Sequence, residues 1–81
     1  MNFGNLFNLV KDLVISEPSI AHTTSVSKLG SKKQVLLIFK FNTAQDLKDT
    51  IVDTIMSGVK STYNVDGAWS SDTTYKIQYK G

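Results

Sequence analysis

Between residues 3 and 15 the apolar positions recur at helical spacing, with Phe3, Leu6, Phe7, Val10, Leu13 and Val14 on one side and Asn5, Asn8, Lys11 and Asp12 on the other. The pattern predicts an amphipathic helix. Pro18 disfavours helical geometry at Glu17, so this helix is expected to stop near Ser16. From Ile20 to Leu29, threonines, serines and Val26 suit a strand with one wet face, and Leu29-Gly30-Ser31-Lys32-Lys33 supplies turn chemistry. Gln34 to Phe41 then forms the strongest strand signal in the chain, and the two strands are expected to pair as a hairpin.

In this second strand Val35, Leu37, Phe39 and Phe41 point one way and Leu36, Ile38, Lys40 and Asn42 the other. Its first half is apolar on both faces, which places it in the middle of a sheet, because an exposed edge of that composition would be an aggregation template. Thr43 followed by Asp46 resembles a weak capping box and predicts the start of a second helix. Ala44, Leu47, Ile51, Val52, Ile55, Met56 and Val59 would form its buried stripe, and Gly58 is a candidate stop. Near the C-terminus Tyr75, Ile77 and Tyr79 alternate with Lys76, Gln78 and Lys80, as in a half-buried strand. Another short strand belongs between residues 59 and 70. Its turn is either Asp66-Gly67, which sets Val65 across from Ala68, or Ser70-Ser71-Asp72, which sets Trp69 across from Tyr75. The expected fold is α+β, ordered α-β-β-α-β-β, with an antiparallel sheet backed by two amphipathic helices.

Length narrows this further. Eighty-one residues are expected to form one domain, spanning 1–81, whose single core must come from the 41% apolar residues. With no cysteine, disulfides, thiol catalysis and cysteine-based zinc sites are excluded. No stretch reaches the roughly 18 apolar residues of a membrane span. Residues 1 to 15 lack the basic start of a signal peptide, so no membrane association is expected and the cytoplasm is the expected setting.

Charge adds a chemical restriction. The formal net charge is +2, and every basic residue is lysine. Without arginine there is no bidentate fork for phosphate, carboxylate or guanine edges, and polar recognition must rest on lysine point charges, backbone groups and exposed aromatics.

No catalytic, metal or cofactor constellation emerges. His22 is the single histidine, and the neighbouring hydroxyls of Thr23, Thr24 and Ser25 have no carboxylate at a spacing that would complete a nucleophilic triad. Asp46, Asp49 and Asp53 share one helical face, yet a hard-cation cage needs more oxygen ligands than that face offers, and charges opposite an apolar stripe are what an amphipathic helix requires. The glycines stand alone, without the spacing of a phosphate loop.

What remains is surface. Lys40, Lys76 and Lys80, with Gln78, are expected on the open sheet face beside Leu36 and Ile38, and Lys28, Lys32 and Lys33 around the hairpin tip. Acidic residues would then line the helix side and basic ones the sheet side. Trp69 lies in a polar, turn-rich stretch, where it either plugs the end of the sandwich or forms a binding hot spot. Phe3, Phe7, Phe39 and Phe41 are expected in the core. The leading expectation is a non-enzymatic protein-interaction module that also self-associates, acting through Leu36, Ile38, Lys40, Trp69, Lys76, Gln78 and Lys80. The competing expectation is a sequence-tolerant nucleic-acid binder using Lys28, Lys32, Lys33, Lys40, Lys76 and Lys80. Neither needs a cofactor or a small-molecule substrate.

Overall fold

A computed structural model describes residues 2–81. The elements are α1 (Phe3–Ile15), α2 (Pro18–Ala21), β1 (Thr24–Leu29), β2 (Gln34–Phe39), α3 (Gln45–Lys60), β3 (Val65–Trp69) and β4 (Thr74–Tyr79). The α+β order is the expected one with a single helical turn added.

That added turn corrects the first strand boundary. Pro18 ends nothing further: it occupies the first position of α2, where its missing N–H would have had no helical partner. Ile20 is therefore buried from a helix, its carbonyl accepts from the Thr23 backbone N–H at 3.1 Å, and the strand begins only at Thr24. α1 keeps its predicted limits. Asn2 caps it, its side chain accepting the Asn5 N–H at 2.9 Å.

The sheet is antiparallel throughout, in the order β1-β2-β4-β3. Since β2 and β3 both run against β4, they are parallel to each other with β4 inserted between them, and α3 is the long connection that such a pair requires. Both helices contribute to the same core, on one side of the sheet. Leu6, Val10 and Val14 of α1 and Ile51, Ile55 and Val59 of α3 close on Val35, Leu37, Phe39 and Ile77. Each such fully buried aliphatic group contributes about 1.5–3 kcal/mol relative to an exposed one.

Between β2 and α3 the structure departs from the pattern. The last rung of β2 joins the Lys40 N–H to the Thr23 carbonyl at 2.9 Å. Thr43 then closes a turn, its hydroxyl donating to the Lys40 carbonyl at 2.7 Å and its N–H to the same oxygen at 3.2 Å, with Asn42 in the left-handed region at φ 70°. The strand thus stops two residues early, and Phe41 sits on the turn, 79% exposed rather than in the core. Because the Thr43 hydroxyl serves this turn, it does not cap α3. Ala44 holds the cap position without a side-chain bond, and the Asp46 carboxylate accepts the Leu47 N–H at 2.9 Å. The helical phase that follows buries Lys48 and leaves Leu47, at the margin of the stripe, 43% exposed.

Two glycines expected to punctuate the chain instead permit close packing. α3 runs through Gly58 to Lys60, and a Cβ at position 58 would lie 3.2 Å from Leu13 Cδ1 of α1. Gly67 lies inside β3 opposite Ile77, where the Tyr75 ring occupies the space a side chain would need. The hairpin turn is the later candidate: the Ser70 N–H donates to the Thr74 carbonyl at 2.9 Å, and Trp69 faces Tyr75.

Gly67→Val tests this packing. Displacing the Tyr75 ring should lower stability by about 1–3 kcal/mol in urea denaturation followed by circular dichroism. An unchanged midpoint would show that the ring does not need the gap.

Candidate functional site

With the helices on one side, the other side of the sheet is uncovered. The cross-strand register makes Ser27, Leu36, Lys76 and Ala68 one row of that face and Ser25, Ile38 and Thr74 the next. Ile38 is flanked by Ser25 and Thr74, too short to shade it, and is 38% exposed. Leu36, beside the lysine stem of residue 76, is half-buried. Below them the face is closed by polar pairing: Gln34 Nε2 donates to Gln78 Oε1 at 2.8 Å, and Gln78 Nε2 to the Lys32 carbonyl at 3.0 Å. Lys80 pairs with Asp66 at 2.9 Å, both side chains at least half exposed, a geometry that contributes little in water.

Of the expected partner surface, Leu36, Ile38 and Lys76 are therefore neighbours on one face. Gln78 and Lys80 lie on that face too, engaged with Gln34 and Asp66. Lys40 is exposed just beyond the end of β2. Trp69 is elsewhere. It pairs with Tyr75 on the helix-facing side, so the sheet separates it from Leu36 and Ile38.

The lysines expected to track nucleic acid are dispersed as well. Lys28 lies on the helix-facing side with its ammonium 4.7 Å from the Phe7 ring centroid, Lys32 and Lys33 occupy the hairpin tip, and Lys40 stands at the opposite end. Asp66 shares the sheet face with Lys76 and Lys80. The expected division into an acidic helix side and a basic sheet side is thus replaced by another arrangement of charge, taken up below.

At the end of the sandwich, aromatic rings from three strands meet. Trp69 packs at 5.2 Å and 78° to Tyr75 and at 5.6 Å and 39° to Phe39, and is 37% exposed. Trp69 thus plugs the end of the sandwich while leaving part of its ring in solvent. Beside it opens a groove of about 450 Å³ lined by Gln45, Trp69, Ser70, Ser71 and Asp72. Underneath lies a lysine on the apolar stripe of α3. Lys48 is 7% exposed, its ammonium donating to the Asp72 backbone carbonyl and lying 5.4 Å from the Trp69 ring centroid. Its place was legible, since Lys48 stands three, four and seven residues before Ile51, Val52 and Ile55 on the buried stripe. A buried ammonium without a partner would be costly, and the carbonyl and the indole face supply its partners.

Other chemistry does not assemble. His22 is exposed, while the Thr23 hydroxyl is turned toward the Ile20 carbonyl at 3.3 Å and lies 3.4 Å from that of Thr24. Among the described residues no group of three or more His, Cys, Asp or Glu side chains could hold a metal ion, and no helix is long and apolar enough to cross a membrane. Comparison with protein-family models, curated proteins and solved structures finds no match to the chain.

Two measurements probe this end. Burial raises the Tyr75 hydroxyl above its usual 10.0, with the Asp53 charge adding in the same direction. Folding therefore favours the protonated phenol: the stability is present in full below 10.0 and declines as pH rises through the higher folded value. Stability curves for wild type and Tyr75→Phe should differ in slope above pH 10 only; parallel curves would refute the coupling. Lys48→Ala should cost about 1–3 kcal/mol and shift Trp69 emission to longer wavelength, while Lys48→Met restores most of the packing without the bond to Asp72. If the alanine variant keeps both melting temperature and emission, the ammonium does not hold the 70–73 turn.

Proposed function

We propose that the chain is a small non-enzymatic protein-interaction module that receives another protein on its uncovered sheet face. The observation that carries this is Ile38, 38% exposed on a central strand beside Leu36, where neither helix reaches and the flanking side chains are small. Apolar groups at the centre of a face with a polar margin, here Lys76, Gln78 and the Lys80–Asp66 pair, are the usual anatomy of a protein interface. The nucleic-acid alternative draws less support, because its six lysines do not share one surface and an aspartate lies among those on the sheet.

Capture from a lysate of the native host, with and without nuclease, tests the choice when wild type is compared with Leu36→Ser/Ile38→Ser. Both side chains lie outside the core, so the variant should fold. A nuclease-resistant protein partner reduced about tenfold or more by the double substitution is expected. Capture that disappears with nuclease would transfer the reading to nucleic acid, and capture untouched by the substitutions would remove the sheet face.

A further inference from the structure

We propose that the chain also associates with itself end to end, the basic hairpin end of one copy docking on the acidic, Trp69-bearing end of the next. The contact uses neither Leu36 nor Ile38 and stands independently of the sheet-face reading.

Topology defines the two ends. At one lie the β1–β2 turn, the last turn of α3 and the end of β4, linked by the Tyr79 N–H to the Lys33 carbonyl at 2.9 Å. Lys28, Lys32, Lys33 and Lys60 gather there, and the acid at this end, Asp66, is already paired with Lys80. At the other end lie the β3–β4 turn and the first turns of α3, joined by Lys48 and the Asp72 carbonyl. Asp46, Asp49 and Asp72 are exposed there, and of the lysines Lys48 is buried while Lys40 is exposed. Charge is therefore segregated along the strand direction.

Shape follows the same division. The hairpin tip projects, with nothing within 4 Å of the position a Gly30 side chain would take and with Lys32 and Lys33 exposed. The acidic end carries a shallow, open groove that offers the Trp69 ring and, at its margin, Asp72. A lysine stem laid against the indole with its ammonium near the Asp72 carboxylate would use both. A basic end and an acidic end on one chain make a second copy the fitting occupant. Because the two patches differ, the contact is heterologous and propagates as an open row or closes as a ring.

Sedimentation velocity at about 20 mM salt should show a mass that rises with concentration and returns to monomer near about 0.5 M salt, where exposed charges are screened. Lys32→Glu/Lys33→Glu and Asp49→Lys/Asp72→Lys should each weaken assembly about tenfold or more, since each makes both ends alike in sign. Mixed one to one, the two variants should assemble again. Leu36→Ser/Ile38→Ser should assemble as wild type does. A wild type that stays monomeric at low salt, or charge variants that assemble unmixed as well as it does, would overturn the proposal, as would a mixture that remains monomeric. Trp69 emission perturbed by a lysine-rich peptide while the chain alone stays monomeric would also overturn it, assigning the groove to a different basic partner.

Discussion

The pairing of β2 with β4 decides which side of this sheet is core. Strand β2 cannot decide it alone, for Val35, Leu37 and Phe39 on one side and Leu36 and Ile38 on the other are both apolar, and a slip of one residue would exchange them at little cost in hydrophobicity. β4 is unambiguous. Tyr75 and Ile77 are buried while Lys76 and Gln78 alternate with them, so the same slip would drive a lysine into the helix layer. The hydrogen bond between Gln34 and Gln78, and the rungs from Phe39 to Thr73 and from Tyr79 to Lys33, hold that register at both ends of the pair. Once it is held, two helices suffice to cover one face, and the apolar residues of β2 that face outward are left without cover.

The register of β3 with β4 sets Tyr75 opposite Trp69 with its ring over Gly67, and the end of the sandwich follows from it. Gly67 leaves room for the Tyr75 ring, and Trp69, directly opposite Tyr75, packs against it and Phe39. The indole then forms part of the lining for Lys48, whose ammonium reaches the Asp72 carbonyl and ties the start of α3 to the turn between β3 and β4. Helix and hairpin are distant in sequence, and this bond joins them.

Much of this was legible wherever periodicity was strict. The limits of α1, the alternation of β4, the outward placement of Leu36 and Ile38 and the order of the elements all follow from spacing. Failures cluster where a side chain had two uses. Thr43 satisfies the rules for a helix cap but spends its hydroxyl on the Lys40 carbonyl, and the turn so formed carries Phe41 out of the core. Gly58 reads as a stop and Gly67 as one of two candidate turns because glycine usually ends elements, whereas here each admits a neighbour from elsewhere in the chain, Leu13 in one case and Tyr75 in the other. Such reasons are tertiary, and no local window contains them. Lys48 differs for another reason: its charge suits an outer face, while its position on the stripe places it inside.

The charge pattern also has a local cause with a larger consequence. Asp46 in the first turn of α3 and Lys60 in the last are the placements a helix dipole favours, and together with the lysines of the β1–β2 turn and the aspartate of the β3–β4 turn they separate the signs along the strands. A net charge of +2 conceals this separation. On the sheet face, by contrast, Asp66 offsets Lys80 and the centre is apolar. The molecule thus offers two kinds of surface with different physics. Burial of Leu36 and Ile38 against a partner would change little with added salt, whereas contact between the charged ends would weaken steeply, so ionic strength alone separates the two modes of association.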